Sequence, residues 1–116
     1  MFHVRVQAEP FDLQEEHWKL STLGPDVGAV VSFVGQVRDD ALMGEALELE
    51  HYPGMAEREM AAVLEAARAR WPLNGATLIH RYGRLDVGAP IVLVLTASRH
   101  RQAAFEAAMF LMDWLK

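Results

Sequence analysis

One stretch of sequence decides the fold: Ile91-Val-Leu-Val-Leu-Thr-Ala-Ser98, followed by Arg99-His-Arg-Gln-Ala-Ala-Phe-Glu-Ala-Ala-Met-Phe-Leu-Met-Asp-Trp-Leu-Lys116. The first five residues are continuously apolar and are either β-branched or Leu, which indicates a buried strand. Ser98 is a good N-cap residue, and the Ala-, Met- and Leu-rich run behind it strongly favours helix. The stretch therefore predicts a core strand that turns directly into a helix.

Three basic residues, Arg99, His100 and Arg101, occupy the first turn of that predicted helix. Cations there oppose the positive end of the helix macrodipole, at a cost of about 0.3–1 kcal/mol each. The free N–H groups of a helix N-terminus already attract anions. The three side chains therefore either form a pocket for a phosphate or carboxylate, or are solvated or paired with nearby acids. The local pattern leaves both interpretations open.

The composition is that of one ordinary globular domain over residues 1–116, with 52% apolar and 23% charged residues. The formal net charge is −5 and there is no run of Lys or Arg. We therefore expect no nucleic-acid or anionic-membrane surface. No apolar run approaches the ~20 residues of a membrane span, and the N-terminus lacks a signal-peptide core. These features predict a cytoplasmic protein.

The chain contains no cysteine. A disulfide, a thiolate nucleophile and a Cys-based zinc site are thereby excluded. The five histidines show no metal-ligand spacing, so we expect neither a metal nor a cofactor. Any sulfur chemistry would need sulfur that another molecule supplies.

The order of predicted elements is β-α-β-β-α-β-(β)-β-α, an α+β fold of one sheet with packed helices. In the first helix, the spacing predicts that Leu13, Trp18 and Leu20 face the core. Gly35 inside the second strand predicts a bulge or a close backbone approach. The predicted strands cover residues 2–7, 28–38, 46–52, 76–82 and 91–95, with a candidate short strand at 84–85.

Arg38 ends the second predicted strand, directly before the polar loop 39–44. An arginine at such an edge can reach into a cleft, or it can pair with Asp39 or Asp40. The local sequence alone favours the pairing.

The last predicted helix also limits how a site can be built. His100 and Lys116 are sixteen residues apart, which is ~24 Å along a straight helix. If both serve one pocket, they must come from different subunits. A shared anion site therefore predicts a symmetric homodimer with each site built across its interface. The helix reaches Lys116 without a stop signal, and we expect a C-terminal tail to follow it.

Six blocks of sequence, in order from about residue 28 onwards, carry a family resemblance. They are Gly28-Ala-Val-Val-Ser-Phe-Val-Gly-Gln-Val-Arg38, Leu49-Glu-His-Tyr-Pro-Gly-Met55, Arg70-Trp-Pro72, Ile79-His-Arg-Tyr-Gly83, Ser98-Arg-His-Arg-Gln-Ala-Ala-Phe-Glu-Ala107 and Phe110-Leu-Met-Asp-Trp-Leu-Lys116. Together they resemble the large, catalytic subunit of molybdopterin synthase. The Glu-His-Tyr-Pro-Gly-Met block together with the His-Arg block is highly specific, whereas the N-terminal strand and first helix are generic.

The resemblance implies an α/β-hammerhead-like sheet with packed helices plus a small antiparallel subdomain. It also implies a homodimer that forms the core of a heterotetramer, with a small ubiquitin-like sulfur-carrier subunit at each end. The Gly-Gly C-terminus of that subunit, as a thiocarboxylate, would enter the pocket. Its sulfur would pass to the substrate, cyclic pyranopterin monophosphate, which receives two sulfurs in this way to become the dithiolene of molybdopterin.

Carried over residue by residue, the resemblance assigns four site residues. The pocket arginine is Arg38, the His-Arg pair is His100 and Arg101, and the first pocket lysine is Lys116. All four would bind substrate, and the His-Arg pair would come from the neighbouring protomer. Arg38 and Lys116 would be catalytic. From their charge, we expect Arg38, His100 and Arg101 to hold the phosphate and to stabilise negative charge as the cyclic phosphate opens. We expect Lys116 to lie near the thiocarboxylate as an electrostatic stabiliser or proton donor.

The family pattern continues beyond this lysine with an Arg-Ala-Pro-Phe-Trp-Lys type segment that holds a second catalytic lysine. The main interpretation of the whole sequence is a sulfur transferase that is active only as a complex. The alternative is a non-catalytic pterin-phosphate-binding or scaffold paralogue. An unrelated phosphate-binding domain is a third interpretation, and it does not account for the Glu-His-Tyr-Pro-Gly-Met block.

Overall fold

The computed structural model describes residues 1–39, 47–49 and 54–115. The α+β class predicted from the sequence is confirmed. In chain order, the elements are β1 (Phe2–Gln7), α1 (Leu13–Ser21), β2 (Ala29–Gln36), β3 (Leu47–Leu49), α2 (Met55–Arg70), β4 (Gly75–Arg81), β5 (Gly83–Leu85), β6 (Pro90–Ser98) and α3 (Arg101–Leu115). None of the described helices is long and apolar enough to cross a membrane.

The main sheet has four strands in the order β1-β4-β6-β2. β1 runs parallel to β4, whereas β6 is antiparallel to both β4 and β2. β6 therefore lies inside the sheet, as its continuous apolar run predicts. β3 and β5 pair separately as a small antiparallel sheet, which matches the small subdomain that the resemblance implies.

Helices cover both faces of the main sheet. Side chains alternate along β6, so that Leu93 and Leu95 lie in one core cluster with Leu20 of α1. Val94 lies in the other cluster, which contains residues from α2 and α3 such as Leu111. Each of these buried Leu side chains stabilises the fold by about 1.5–3 kcal/mol relative to exposure.

The structure corrects the prediction for α1. Leu20 is 1% exposed, but Trp18 is 64% and Leu13 is 38% exposed. Glu16 takes the inward position instead, because its carboxylate forms an ion pair with Arg5 of β1. Glu16 and Leu20 are one helical turn apart, so their shared face meets the sheet and Trp18 is turned outward.

The predicted irregularity in β2 is confirmed at Gly35. The pairing register between β2 and β6 shifts between Gly35 and Gln36. A Cβ atom at Gly35 would lie 2.7 Å from the Cγ1 atom of Val92, so the close approach requires glycine. Beyond this bulge, the N–H of Val37 donates to the carbonyl of Ala89 at 3.0 Å. The segment that leads into Arg38 is therefore held against the turn before β6.

The corner between β6 and α3 differs from the prediction in one detail. Ser98 is the last residue of β6 rather than the N-cap of α3, which begins at Arg101. The Ser98 hydroxyl donates to the carbonyl of Pro72 at 2.7 Å and so ties the corner to the end of α2. Arg99 and His100 consequently form a bend before the helix, and only Arg101 belongs to its first turn.

Candidate functional site

A cavity of about 690 Å³ lies between the sheet and the second half of α3. Cavities of roughly 300–1,000 Å³ are typical of small-molecule sites. Most of its wall is apolar, and four lining residues supply polar side chains. The lining comprises Phe33, Gly35, Gln36, Arg38, His80, Ile91, Val92, Val94, Met109, Met112, Asp113 and Leu115.

The topology accounts for the position of Arg38 at this cavity. β2 ends where β6 begins, because Gln36 pairs with Pro90 in the antiparallel ladder. α3 follows β6 and packs against both β6 and β2, so that its last described residue, Leu115, also lines the cavity. The end of β2 and the end of α3 therefore meet at this cavity. Arg38, the first of the predicted site residues, lies at that meeting point.

Two residues that the sequence analysis also names are close in sequence to the ends of β2 and α3. Lys116 and Asp40 lie outside the described residues. The site role of Lys116 stays a prediction that rests on the family resemblance.

The His-Arg pair lies at the opposite end of the molecule from Arg38. Ala29, at the start of β2, pairs with Ser98, at the end of β6. Seven residue steps along β2 correspond to ~23 Å, and the fourteen steps from Arg101 to Leu115 correspond to ~21 Å of helix. One chain therefore does not bring His100 and Arg101 to the cavity that Arg38 lines.

The His-Arg corner has a shallow cavity of its own, of about 380 Å³, lined by Pro25, Asp26, Gly28, Arg99 and His100. A Cβ atom at Gly28 would collide with the carbonyl oxygen of Arg99. The backbone of this corner is thus packed closely against the start of β2.

The basic side chains at the corner are exposed to solvent. Among the described residues, none of Arg99, His100 and Arg101 forms an ion pair with an acid. Pairing with a described acid is therefore ruled out for this basic cluster. Solvation and anion binding remain as the two interpretations of these basic side chains.

His80 is a lining residue that the sequence analysis did not select. It belongs to β4 and pairs in register with Val92. Its ring nitrogen Nδ1 lies 2.9 Å from the backbone carbonyl oxygen of Arg81. The signal in the sequence was the alternation of β4, which places this polar residue on the same face as buried Ala76 and Leu78.

Arg81, next to it, has a structural role. Its guanidinium donates to the carbonyl of Ala8 through Nε and Nη2, at 3.2 and 3.0 Å, and to the carbonyl of Pro90 through Nη1 at 3.0 Å. These bonds join the ends of β1, β4 and β6 beside the cavity. The described residues contain no cluster of three or more His, Cys, Asp or Glu side chains that could hold a metal ion.

The fold and the cavity define the class of this protein: an α+β domain with a cavity of small-molecule size beside the end of α3 and a cluster of basic residues at the start of that helix. The chain belongs to the MoaE family, whose model, described as "MoaE protein", matches residues 6–116.

Relatives and solved structures agree with this assignment. The molybdopterin synthase catalytic subunit of Mesorhizobium japonicum is 57% identical over 113 residues, which cover 97% of this chain and 71% of that protein. The structure of the molybdopterin biosynthesis MoaE protein from Burkholderia ambifaria superposes with a TM-score of 0.92 at 42% identity, covering 100% of this chain and 77% of that one. Molybdopterin synthase from Staphylococcus aureus has a TM-score of 0.84 at 29% identity, covering 93% and 79%. The predicted enzyme class, a molybdopterin synthase catalytic subunit, is confirmed.

Proposed function

We propose that this chain transfers sulfur from the C-terminal thiocarboxylate of a small ubiquitin-like subunit to cyclic pyranopterin monophosphate. Two such transfers, each using the one sulfur of one thiocarboxylate, give the dithiolene of molybdopterin. The names of the relatives support the reaction class, and the word "subunit" in them supports a second component. A chain without cysteine also needs a donor for the sulfur, and a thiocarboxylate on a partner supplies it.

The cavity that Arg38 lines is the proposed reaction site. Its apolar walls, formed by Phe33, Val92 and Met112 among others, suit the flat ring system of a pterin. The Arg38 guanidinium suits the phosphate, because its planar set of donors matches phosphate oxygens. It would also stabilise the negative charge that develops as the cyclic phosphate opens. Lys116, the residue after Leu115, is the proposed second catalytic group.

The observation that carries this proposal is the separation of Arg38 from His100 and Arg101. The two ends of β2 lie ~23 Å apart, so one chain supplies Arg38 and the end of α3, but not the His-Arg pair. We propose that the partner protomer of a homodimer supplies the pair. Each of the two sites then contains residues from both protomers.

An exposed apolar surface supports such an assembly. Phe105 and Met109 of α3, one helical turn apart, are 60% and 57% exposed. Trp114 near the end of the same helix is 42% exposed, and Phe33 on β2 is 39% exposed. β2 is also an edge strand of the main sheet. Apolar side chains exposed beside a sheet edge are typical of surfaces that another chain covers.

Reconstitution with defined components tests the function. The chain is mixed with a thiocarboxylated small subunit and cyclic pyranopterin monophosphate, and dithiolene product is followed through its oxidised fluorescent derivative. We expect product from the natural chain and a loss of roughly 10²–10³-fold in rate for Arg38→Ala, the range for removing a group that stabilises developing charge. Arg68→Ala is the matched control, because Arg68 is an exposed arginine on α2 and does not line the cavity.

Two negative outcomes separate the alternatives. No product despite measured binding of the small subunit would favour the non-catalytic scaffold. Absence of both product and binding would contradict the partner as well as the reaction. The cytoplasmic location stays a prediction from the sequence.

A further inference from the structure

The wall of the cavity formed by the sheet contains one imidazole ring. His80 lines the cavity from β4, where its in-register neighbour on β6 is Val92. Ile91 and Val94 of β6 also line the cavity. His80 is half-buried, so its ring has fewer water contacts than that of an exposed histidine and depends more on polar partners.

One of its two ring nitrogens has such a partner. Nδ1 lies 2.9 Å from the carbonyl oxygen of Arg81. A carbonyl oxygen only accepts hydrogen bonds, so Nδ1 carries a hydrogen and donates it. In the neutral ring, Nε2 is consequently the nitrogen with a lone pair, and it can only accept.

The acceptor of this hydrogen bond is also held in place. The Arg81 side chain makes three hydrogen bonds, to the carbonyls of Ala8 and Pro90, which fix the end of β4. The orientation of the imidazole is therefore set before any ligand binds. Nε2 forms no hydrogen bond with any of the described residues.

We propose that His80 is a substrate-positioning residue, whose Nε2 accepts a hydrogen bond from an N–H group of the pterin ring in the cavity. The inference rests on the proposed function and adds a contact on the pterin ring to the phosphate contacts of Arg38. His80 lies on the sheet, whereas Arg38 follows the end of β2. Two contacts from different elements fix both the position and the orientation of a flat ligand.

Two substitutions separate this contact from a purely structural role. In His80→Asn, the side-chain amide can occupy the position of Nδ1 and keep the bond to the Arg81 carbonyl, but nothing replaces Nε2. In His80→Gln, the longer side chain can place its amide oxygen near the position of Nε2, whereas the bond to Arg81 is lost. Each substitution therefore removes only one of the two hydrogen-bonding functions of the ring.

The expected result is a change in KM more than in kcat. His80→Asn should raise KM for cyclic pyranopterin monophosphate about tenfold, the factor that corresponds to an unmet hydrogen bond inside a site. His80→Gln should stay within about threefold of the natural chain, because a neutral acceptor is retained. The opposite ranking, with Asn active and Gln impaired, would show that His80 acts only by anchoring Arg81, and it would overturn the proposal.

A spectroscopic measurement on the natural chain covers the case in which neither variant folds. Long-range ¹H–¹⁵N spectra report the protonation of each imidazole nitrogen. We expect a protonated Nδ1 and an unprotonated Nε2 whose resonance moves when the substrate is added. An unchanged Nε2 resonance at saturating substrate would contradict the contact. If the natural chain instead makes no dithiolene in the reconstituted assay, the proposed function fails and not this contact alone.

Discussion

The division of the site between two protomers can be tested by mixing two inactive variants. Arg38 lines the main cavity, whereas Arg101 begins α3 at the other end of the sheet. We expect Arg38→Ala and Arg101→Ala each to lose roughly 10²–10³-fold in rate when assayed alone, because in the proposed site each arginine faces the negative charge that develops in the reaction.

A heterodimer of these two variants should regain activity. One of its sites lacks both arginines, and the other has Arg38 from one protomer and Arg101 from its partner. With two equal sites in a closed dimer, a purified heterodimer should reach about one half of the natural rate, and a random mixture about one quarter. The structure sets this expectation, since ~23 Å along β2 is far beyond the reach of one arginine side chain.

The assay uses two affinity tags so that only heterodimers are collected. Dithiolene formation with the thiocarboxylated small subunit is then measured for the heterodimer and for both parents. The matched control pairs Arg38→Ala with the double variant Arg38→Ala/Arg101→Ala, which leaves no intact site. A heterodimer that is no more active than its parents would refute the reasoning, because Arg38 and Arg101 would then act from the same chain or not together.

Two further predictions concern the cavity and the core. Gly35→Ala places a Cβ atom 2.7 Å from Val92 Cγ1 at the cavity wall, so it should raise the KM for the pterin substrate. Adding Val92→Ala removes the close contact and should lower the KM again. An unchanged KM of Gly35→Ala in steady-state assays would contradict this role of Gly35. Leu111→Ala should lower the free energy of unfolding by about 2.7–5 kcal/mol, because Leu111 is 0% exposed. Trp18→Ala should change the free energy of unfolding by less than about 0.5 kcal/mol. Urea unfolding measures this free energy for both variants. Equal losses in the two variants would contradict the assignment of Trp18 to the surface.

Much of the fold was predictable because the strongest signals are local. The apolar run of β6 and the helical run behind it identify the central strand and its packed helix without knowledge of any partner. The irregularity at Gly35 was also predictable, since a glycine inside a strand usually marks a bulge or a close backbone approach. These features depend on residues that are adjacent in sequence.

The predictions were wrong where residues that are distant in the sequence determine the local structure. Trp18 was expected in the core because helical spacing favours it, but Arg5 on β1 attracts Glu16 inward and thereby sets the rotation of α1. Ser98 was expected to cap α3, but the carbonyl of Pro72 binds its hydroxyl. Neither partner can be identified from the periodicity of the segment in question.

The candidate site was predictable in part for the same reason. Arg38 could be selected from the resemblance, and the structure brings it to a cavity. His80 was not selected, because a single histidine on a strand gives no indication of what faces it. Only the sheet register, which pairs His80 with Val92, and the packing of α3 show that it lines the same cavity as Arg38.

The topology gives a physical reason for a two-chain site. A strand that turns into an antiparallel helix places its corner at one end of the sheet and the helix terminus at the other. β6 and α3 do this, so the basic corner at His100 and the cavity beside Leu115 are necessarily separated by the length of α3, ~21 Å. Lengthening a side chain cannot close such a gap, whereas a two-fold axis that sets two copies of α3 near each other can. In this proposal, association of the two protomers and completion of the site are one step, and a variant that weakens association should lose activity in proportion to the dimer it loses.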